Sequence, residues 1–263
     1  MINIFPNNKP IIGMVNLKAL PGFSGYQGMQ AVLDAAVFDA TALEKGGVDG
    51  ILVENTFSYP RSMEIGPELI SSMGIITHEI VKLVKIPVGI VVVMEPGDIS
   101  SLGIAVTSGA QFIRAFCYNE AIVTSFGIYQ GNPSRLSRYR QFLTAQNIAI
   151  FGDIHLKNSI PIGPRSLEQS AIDAVHSDID ALIVTGAATG SAPSIEVAMR
   201  VKKVAGSTPV MLGSGVSPEN AHLLMKNVDG AIIGSAFKKD GIYENPIDVV
   251  RVELLMQEIH KSR

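Results

Sequence analysis

The chain is predicted to be an α/β protein, a single-domain (β/α)8 TIM barrel over residues 1–263, and three observations lead there. Eight short apolar runs recur, at 10–15, 50–53, 87–93, 111–115, 148–154, 181–184, 209–212 and 231–233. Between and after them lie stretches with apolar residues at helical spacing, at 31–45, 68–85, 135–146, 167–175, 195–204, 218–225 and 246–260. Strands alternating with helices imply a parallel sheet, and eight units in about 250 residues match the closed barrel. Composition agrees. Hydrophobic residues make up 47% and charged residues 17%, against about 25% charged in an average soluble domain. The longest strong apolar run, 86–94, is broken by Pro87 and Gly89 and falls short of the roughly 20 residues a spanning helix needs. The excess apolar surface therefore belongs inside the fold, where parallel strands covered on both faces read as Val/Ile runs.

Each run ends in residues able to carry chemistry, and barrel active sites are built from strand C-termini and the loops beyond. The first run ends at Asn16, the second at Glu54-Asn55 and the third at Glu95. The fourth carries Arg114 and leads into a long loop, 117–134. The fifth ends at Asp153, with His155 and Lys157 just beyond and a second long loop over 156–165. Long loops in compact domains are usually functional or disordered. The sixth run ends at Thr185-Gly186, the seventh at Gly213-Ser214-Gly215 and the eighth at Gly234-Ser235. Ser217 followed by Pro218 reads as the cap and first turn of the helix after the seventh strand. No Gly-x-Gly-x-x-Gly follows the first strand, which sets the doubly wound open sheet behind the barrel.

Charge and motif counts exclude several classes. Lys plus Arg is 21 and Asp plus Glu is 24, a net charge of −3, so no basic surplus exists to bind nucleic acid. Cys117 is the sole cysteine and makes neither an internal disulfide nor a cysteine-based zinc site. The five histidines form no His-x-His or His-Glu-x-x-His pair, so no metal site is assigned and no cofactor is required. A Mg²⁺ held by Asp153, Glu54 and substrate oxygens is the one metal arrangement these residues leave open. Residues 1–10 lack a basic region followed by an apolar one, and the expectation is a cytoplasmic homo-oligomer with no integral membrane segment.

The two Gly-Ser loops are the sharpest signal. Glycines let the backbone approach an anion, and barrels often bind phosphate after strands seven and eight. Gly213, Ser214, Gly215, Gly234 and Ser235, with Asn16, Asn55, Thr185 and Gly186, are therefore expected to bind a small phosphorylated ligand, as in a phosphate-binding barrel. Lys238 or Lys239 can add charge there, or lie in solvent. Glu54 and Asp153 are the candidate acid–base carboxylates, unless each pairs with a neighbouring cation. Arg114 needs an anion, either a barrel carboxylate or the substrate. Lys157 suits a Schiff-base amine, a phosphate contact or an acid. Arg135, Arg138 and Arg140 after Asn132-Pro133 read as an anion clamp or a charged helix face.

These motifs together resemble the BtpA/SgcQ family. The resemblance rests on Ile12-Gly13-Met14-Val15, Leu20-Pro21-Gly22, residues 49–55, Phe112-Ile113-Arg114, Gly127-Ile128 with Arg138-Tyr139-Arg140, and residues 153–157. Ile183-Val184-Thr185-Gly186 with Thr189-Gly190, Gly213-Ser214-Gly215-Val216 and Phe237-Lys238-Lys239-Asp240-Gly241 extend it over nearly the whole chain. It implies a phosphate-binding barrel whose mouth carries Glu54, Asn55, Arg114, Asp153, Lys157, Thr185, Gly186, Gly213, Ser214, Gly215 and Gly234. It also implies two kinds of role. Relatives beside sugar-utilisation genes point to an enzyme on a phosphorylated, sugar-like metabolite, a lyase, isomerase or transferase. The family's name points to a photosystem I assembly factor at the membrane periphery. Several positions depart from the pattern. Asn16 and Asn158 stand where histidines are expected, Val93-Met94-Glu95 replaces Leu-Arg-Asn, and Ser125-Phe126-Gly127 replaces Asp-Gln-Gly. Groups able to move protons are thereby lost, which leaves altered chemistry and an inactive ligand-binding relative both open.

Overall fold

A computed structural model describes residues 3–61, 64–93, 97–163, 165–186 and 194–261. Its strands are β1 (Ile11–Asn16), β2 (Gly50–Glu54), β3 (Val88–Val91), β4 (Phe112–Ala115), β5 (Ala121–Thr124), β6 (Gly127–Gln130), β7 (Ala149–Ile154), β8 (Ile160–Pro161), β9 (Ala181–Val184), β10 (Val210–Leu212) and β11 (Ala231–Ile233). Eight of them close a barrel in the order β1-β11-β10-β9-β7-β4-β3-β2, every pairing parallel. Around it run α1 (Met29–Lys45), α2 (Pro67–Leu83), α3 (Gly97–Ser108), α4 (Pro133–Phe142), α5 (Leu167–Val175), α6 (Ile195–Val204), α7 (Ala221–Asn227) and α8 (Val249–His260). The expected barrel is present. Among the described residues, no helix is long and apolar enough to cross a membrane.

Alternation along each strand splits the core in two, because successive side chains point to opposite faces. Ile11, Val15, Ile51, Val53, Ile113, Ile150 and Ile154 face the helices and join one cluster with them. Ile12, Met14, Leu52, Phe112, Phe151, Ile183, Met211 and Ile232 fill the barrel interior. Phe5 plugs the N-terminal end, edge-on to Phe112 at 5.6 Å between ring centroids, while Phe112 stacks on Phe151 at 5.0 Å. Gly89 makes room for this stack: a Cβ there would lie 2.2 Å from the Phe112 ring.

Three elements differ from the sequence-based expectation. Helix α3 lies where none was expected. Its Gly97, Gly103 and β-branched residues are weak helix formers, and packing onto β3, β4 and α2 decides it. The loop 117–134 contains the β5–β6 hairpin, which pairs with β8 from the second long loop as a three-stranded antiparallel sheet. Ile122 and Tyr129 are buried on its inner face with Cys117 and Leu156. Helix α7 begins at Ala221 after Asn220, not at Pro218 after Ser217, because the Asn220 side chain ties the turn by accepting from Ser217 N and donating to Gly215 O.

Candidate active site

The inward phase of the strands continues into polar residues at the C-terminal end of the barrel. Two residues beyond Met14, Leu52, Phe112, Phe151, Ile183, Met211 and Ile232 stand Asn16, Glu54, Arg114, Asp153, Thr185, Gly213 and Gly234. A period of two therefore places all seven over the apolar interior. Adjacent strands β10 and β11 carry the two Gly-Ser loops side by side. Strand β4 and its hairpin leave the barrel on the opposite side.

Arg114 forms the floor. Its Nε donates to Asp153 Oδ2 at 2.7 Å and its Nη2 to Oδ1 at 2.8 Å, with both side chains buried. Burial alone disfavours the Arg114 charge, but contact with Asp153 outweighs it and raises the guanidinium above its ordinary pKa. The guanidinium also reaches across to β10. A Cβ on Gly213 would stand 3.1 Å from Arg114 Nη2, 2.6 Å from Ile183 Cγ2 and 2.7 Å from Thr185 Cγ2. Glycine at 213 is thus the condition for the cation to lie against the seventh-strand loop.

Above this floor opens a cavity of about 540 Å³, within the range of small-molecule sites. Glu54, Arg114, Lys157, Gly213, Ser214, Gly215, Gly234 and Ser235 line it. The other nominated residues do not. Asp153 lies at the floor with both oxygens engaged by Arg114, the cation pairing that the sequence left open as the alternative to an acid–base role. Asn55 points out of phase and accepts from Val93 N at 2.8 Å, joining β2 to β3. Thr185 Oγ1 accepts from Lys157 N at 3.1 Å, and Gly186 N donates to Ser214 Oγ at 3.4 Å. These two bonds stitch the loops after β7, β9 and β10 together. Asn16 Nδ2 donates to Thr56 Oγ1 at 2.8 Å and to Tyr243 OH at 3.3 Å, and Thr56 in turn donates to Glu54 Oε1 at 3.2 Å. Asn16, in the place of the expected histidine, therefore orients Glu54 and Tyr243.

Burial and the neighbouring Arg114 lower the Lys157 pKa, with Glu54 and Asp153 opposing. Burial, then Glu54, raises that of Tyr243. Sequence reading missed Tyr243, Tyr59, Arg61, Phe116 and Phe126, all of which line the cavity. Tyr243 sits in an irregular strap without a strand or helix period. Phe126 is at the hairpin tip, with Arg61 5.1 Å from the Tyr59 ring centroid and 5.9 Å from that of Phe126.

Other expectations are corrected. Lys238 is neither solvated nor in the cavity: it is buried and paired with Asp39 at 2.8 Å. Arg140 bonds the carbonyls of Ala145 and Gln146 and pairs with Asp178 and Asp180, as a structural cation. With Asp153 engaged, Glu54 is the one nominated carboxylate on the cavity wall, which does not favour the Mg²⁺ arrangement. Among the described residues, no three His, Cys, Asp or Glu gather as a metal site would need. Met94, Glu95, Thr189 and Gly190 lie outside the described residues.

The profile of the BtpA family matches residues 7–261. The chain belongs to the BtpA family. It is 35% identical to the photosystem I biogenesis protein BtpA of Synechocystis over 98% of this chain and 90% of the relative. It is 31% identical to the sgc region protein SgcQ of Escherichia coli over 99% and 97%. Among solved structures, thiamine phosphate pyrophosphorylase from Pyrococcus furiosus superposes with a TM-score of 0.59 at 14% identity, covering 97% of this chain and 96% of that one. N-(5'-phosphoribosyl)anthranilate isomerase from the same organism gives 0.59 at 15%, covering 96% and 99%. These likenesses agree with the closed (β/α)8 barrel fold of this BtpA-family chain.

Proposed function

We propose that this BtpA-family barrel is an enzyme acting on a small phosphorylated metabolite at the C-terminal mouth. The observation that carries the reading is the juxtaposition of the two Gly-Ser loops with the Arg114 guanidinium, packed against Gly213 at the floor of one cavity. Backbone amides at glycine turns and a fixed cation form an anion site. Glu54, oriented through Thr56 and Asn16, handles protons, and Asp153 acts through Arg114 as a positioning residue. Phe116 and Phe126 face the phosphate end across the mouth and supply an apolar wall for the rest of the ligand.

Melting the protein with ribose 5-phosphate, and separately with ribose, tests this. A ligand at 100 times its Kd stabilises by about 2.7 kcal/mol, so the phosphate ester raises the melting temperature and the free pentose does not. Gly234→Asp is the matched control. A Cβ at 234 meets nothing closer than 3.6 Å, so this variant keeps its unliganded melting temperature and loses the shift through charge repulsion. An equal shift in the variant, or equal shifts from ester and pentose, would overturn the phosphate assignment. Gly213→Asp is unsuitable, since its side chain would strike Ile183, Thr185 and Arg114.

A second reading has its own observation. Val123, Ile128 and Ile160 are exposed and directly opposite one another on the hairpin sheet, an apolar stripe suited to a protein partner in an assembly role like that named for the cyanobacterial relative. Co-purification with a pigment–protein complex, lost in Ile128→Lys, would favour it.

A further inference from the structure

We propose that the Lys157 amine is the nucleophile of this site and forms an imine with an aldehyde or ketone carbon of the phosphorylated substrate. The inference rests on the reading above and deepens it by naming the carbonyl compounds as the substrate class. Three geometric observations carry it. Lys157 lines the cavity together with Glu54 and Arg114. Other lysines that are buried or partly buried are employed in structure: Lys9 Nζ donates to Met225 O, Lys202 pairs with Asp229 and Lys238 with Asp39. Among the described residues, Lys157 Nζ makes no hydrogen bond or ion pair, and only its backbone N–H is engaged, by Thr185. Finally, the loop that presents it is held in an unusual shape. His155 (φ 47°) and Asn158 (φ 56°) flank it in the left-handed region, the His155 amide fixed by the buried Glu120 carboxylate at 2.9 Å. Non-glycine residues in that region are uncommon and collect where a loop must aim a functional group.

The chemistry needs a neutral amine beside a group that can take and return a proton. Arg114 and burial favour the neutral form of Lys157, and Glu54 is the carboxylate on the same wall. Glu54 accepts a proton from the ammonium. The freed lone pair attacks the carbonyl carbon, and the oxygen takes a proton from the nitrogen to give a carbinolamine. Glu54 then returns its proton to the hydroxyl, which leaves as water while the nitrogen lone pair closes the C=N bond. One ammonium and one carbonyl thus become one protonated imine and one water, with no oxidant or reductant. Phosphate held by the Gly-Ser loops would bring the carbonyl to the amine, because the bonds through Thr185, Gly186 and Ser214 join the Lys157 loop to the loop after β10.

Pyridoxal 5'-phosphate, an aldehyde carrying a phosphate, is the probe. The protein is incubated with it, reduced with borohydride and mapped by peptide mass. The expected result is one labelled site, Lys157, with label reduced ~10-fold by excess inorganic phosphate and abolished in Lys157→Arg. That variant has no amine able to form an imine, and its far-UV circular dichroism checks that it folds. Labelling rises with pH and reaches its plateau at lower pH than at surface lysines. Label confined to other lysines, or unchanged in Lys157→Arg, overturns the proposal. A second arm with pyruvate and borohydride separates the two readings. Label on Lys157 from both aldehyde and pyruvate without phosphate protection supports the imine and overturns the phosphate site. A melting shift by ribose 5-phosphate with no label on Lys157 overturns the imine and leaves the phosphate site standing.

Discussion

Asp153 shows how one hydrogen-bond pair redistributes roles among residues. Two carboxylates at strand ends suggest two proton carriers, but both oxygens of Asp153 face Arg114, so the aspartate holds the cation and Glu54 is left to face the cavity. Removing one partner of a buried pair leaves an uncompensated charge. Asp153→Asn is therefore expected to cost about 3–5 kcal/mol of stability in urea denaturation. A loss below about 1 kcal/mol would show that Arg114 turns to Glu54, the other carboxylate close enough to raise its pKa. Asn158 shows a departure that keeps the backbone: asparagine, like histidine, is among the residues enriched in the left-handed region. Ser125-Phe126-Gly127 is a departure of another kind, since it puts an aromatic ring at a hairpin tip on the cavity wall and so alters the surface offered to a ligand.

Elements are placed by how side chains share the barrel interior. Strand β3 gives up a side chain at Gly89 so that Phe112 of β4 can stack on Phe151. Gly89→Ala would push a methyl group into that ring and is expected to cost about 1–3 kcal/mol, read as a shift in the denaturation midpoint. Adding Phe112→Leu should recover part of the loss; strictly additive losses would show that the ring is not the obstacle. The hairpin sheet follows the same logic. Its inner residues Ile122 and Tyr129 are buried, while its tip delivers Phe126 to the mouth.

At the scale of the molecule, the barrel is closed by a tie between its two ends. Asp39 of α1 accepts from Lys238 Nζ at 2.8 Å and from Ile247 N at 2.8 Å, which fixes the strap between β11 and α8 that carries Tyr243. Lys238→Met should destabilise by about 3–5 kcal/mol, whereas Lys202→Met, removing a partly exposed pair, should cost under about 1 kcal/mol. Calorimetric melting of the two variants checks this. Similar losses would mean that the strap is held by packing alone.

The sequence by itself determined the barrel, its eight core strands and the ring of residues at its mouth. Each depends on a short-range period: two along a strand, 3.6 along a helix, and the glycine or polar residue at which a run stops. Tertiary structure alone decided what those residues do. That Asp153 is sealed beneath Arg114, while Lys157 Nζ has no hydrogen bond or ion pair among the described residues, depends on β4 lying beside β7, and that Lys238 pairs with Asp39 depends on the chain closing on itself 199 residues later. The aromatic wall was equally illegible, because Phe126 and Tyr243 reach the cavity from irregular segments with no period to read. Chain neighbours set the pattern of burial; the partners that fix charge and reactivity come from distant segments, which only the closed barrel brings within bonding distance.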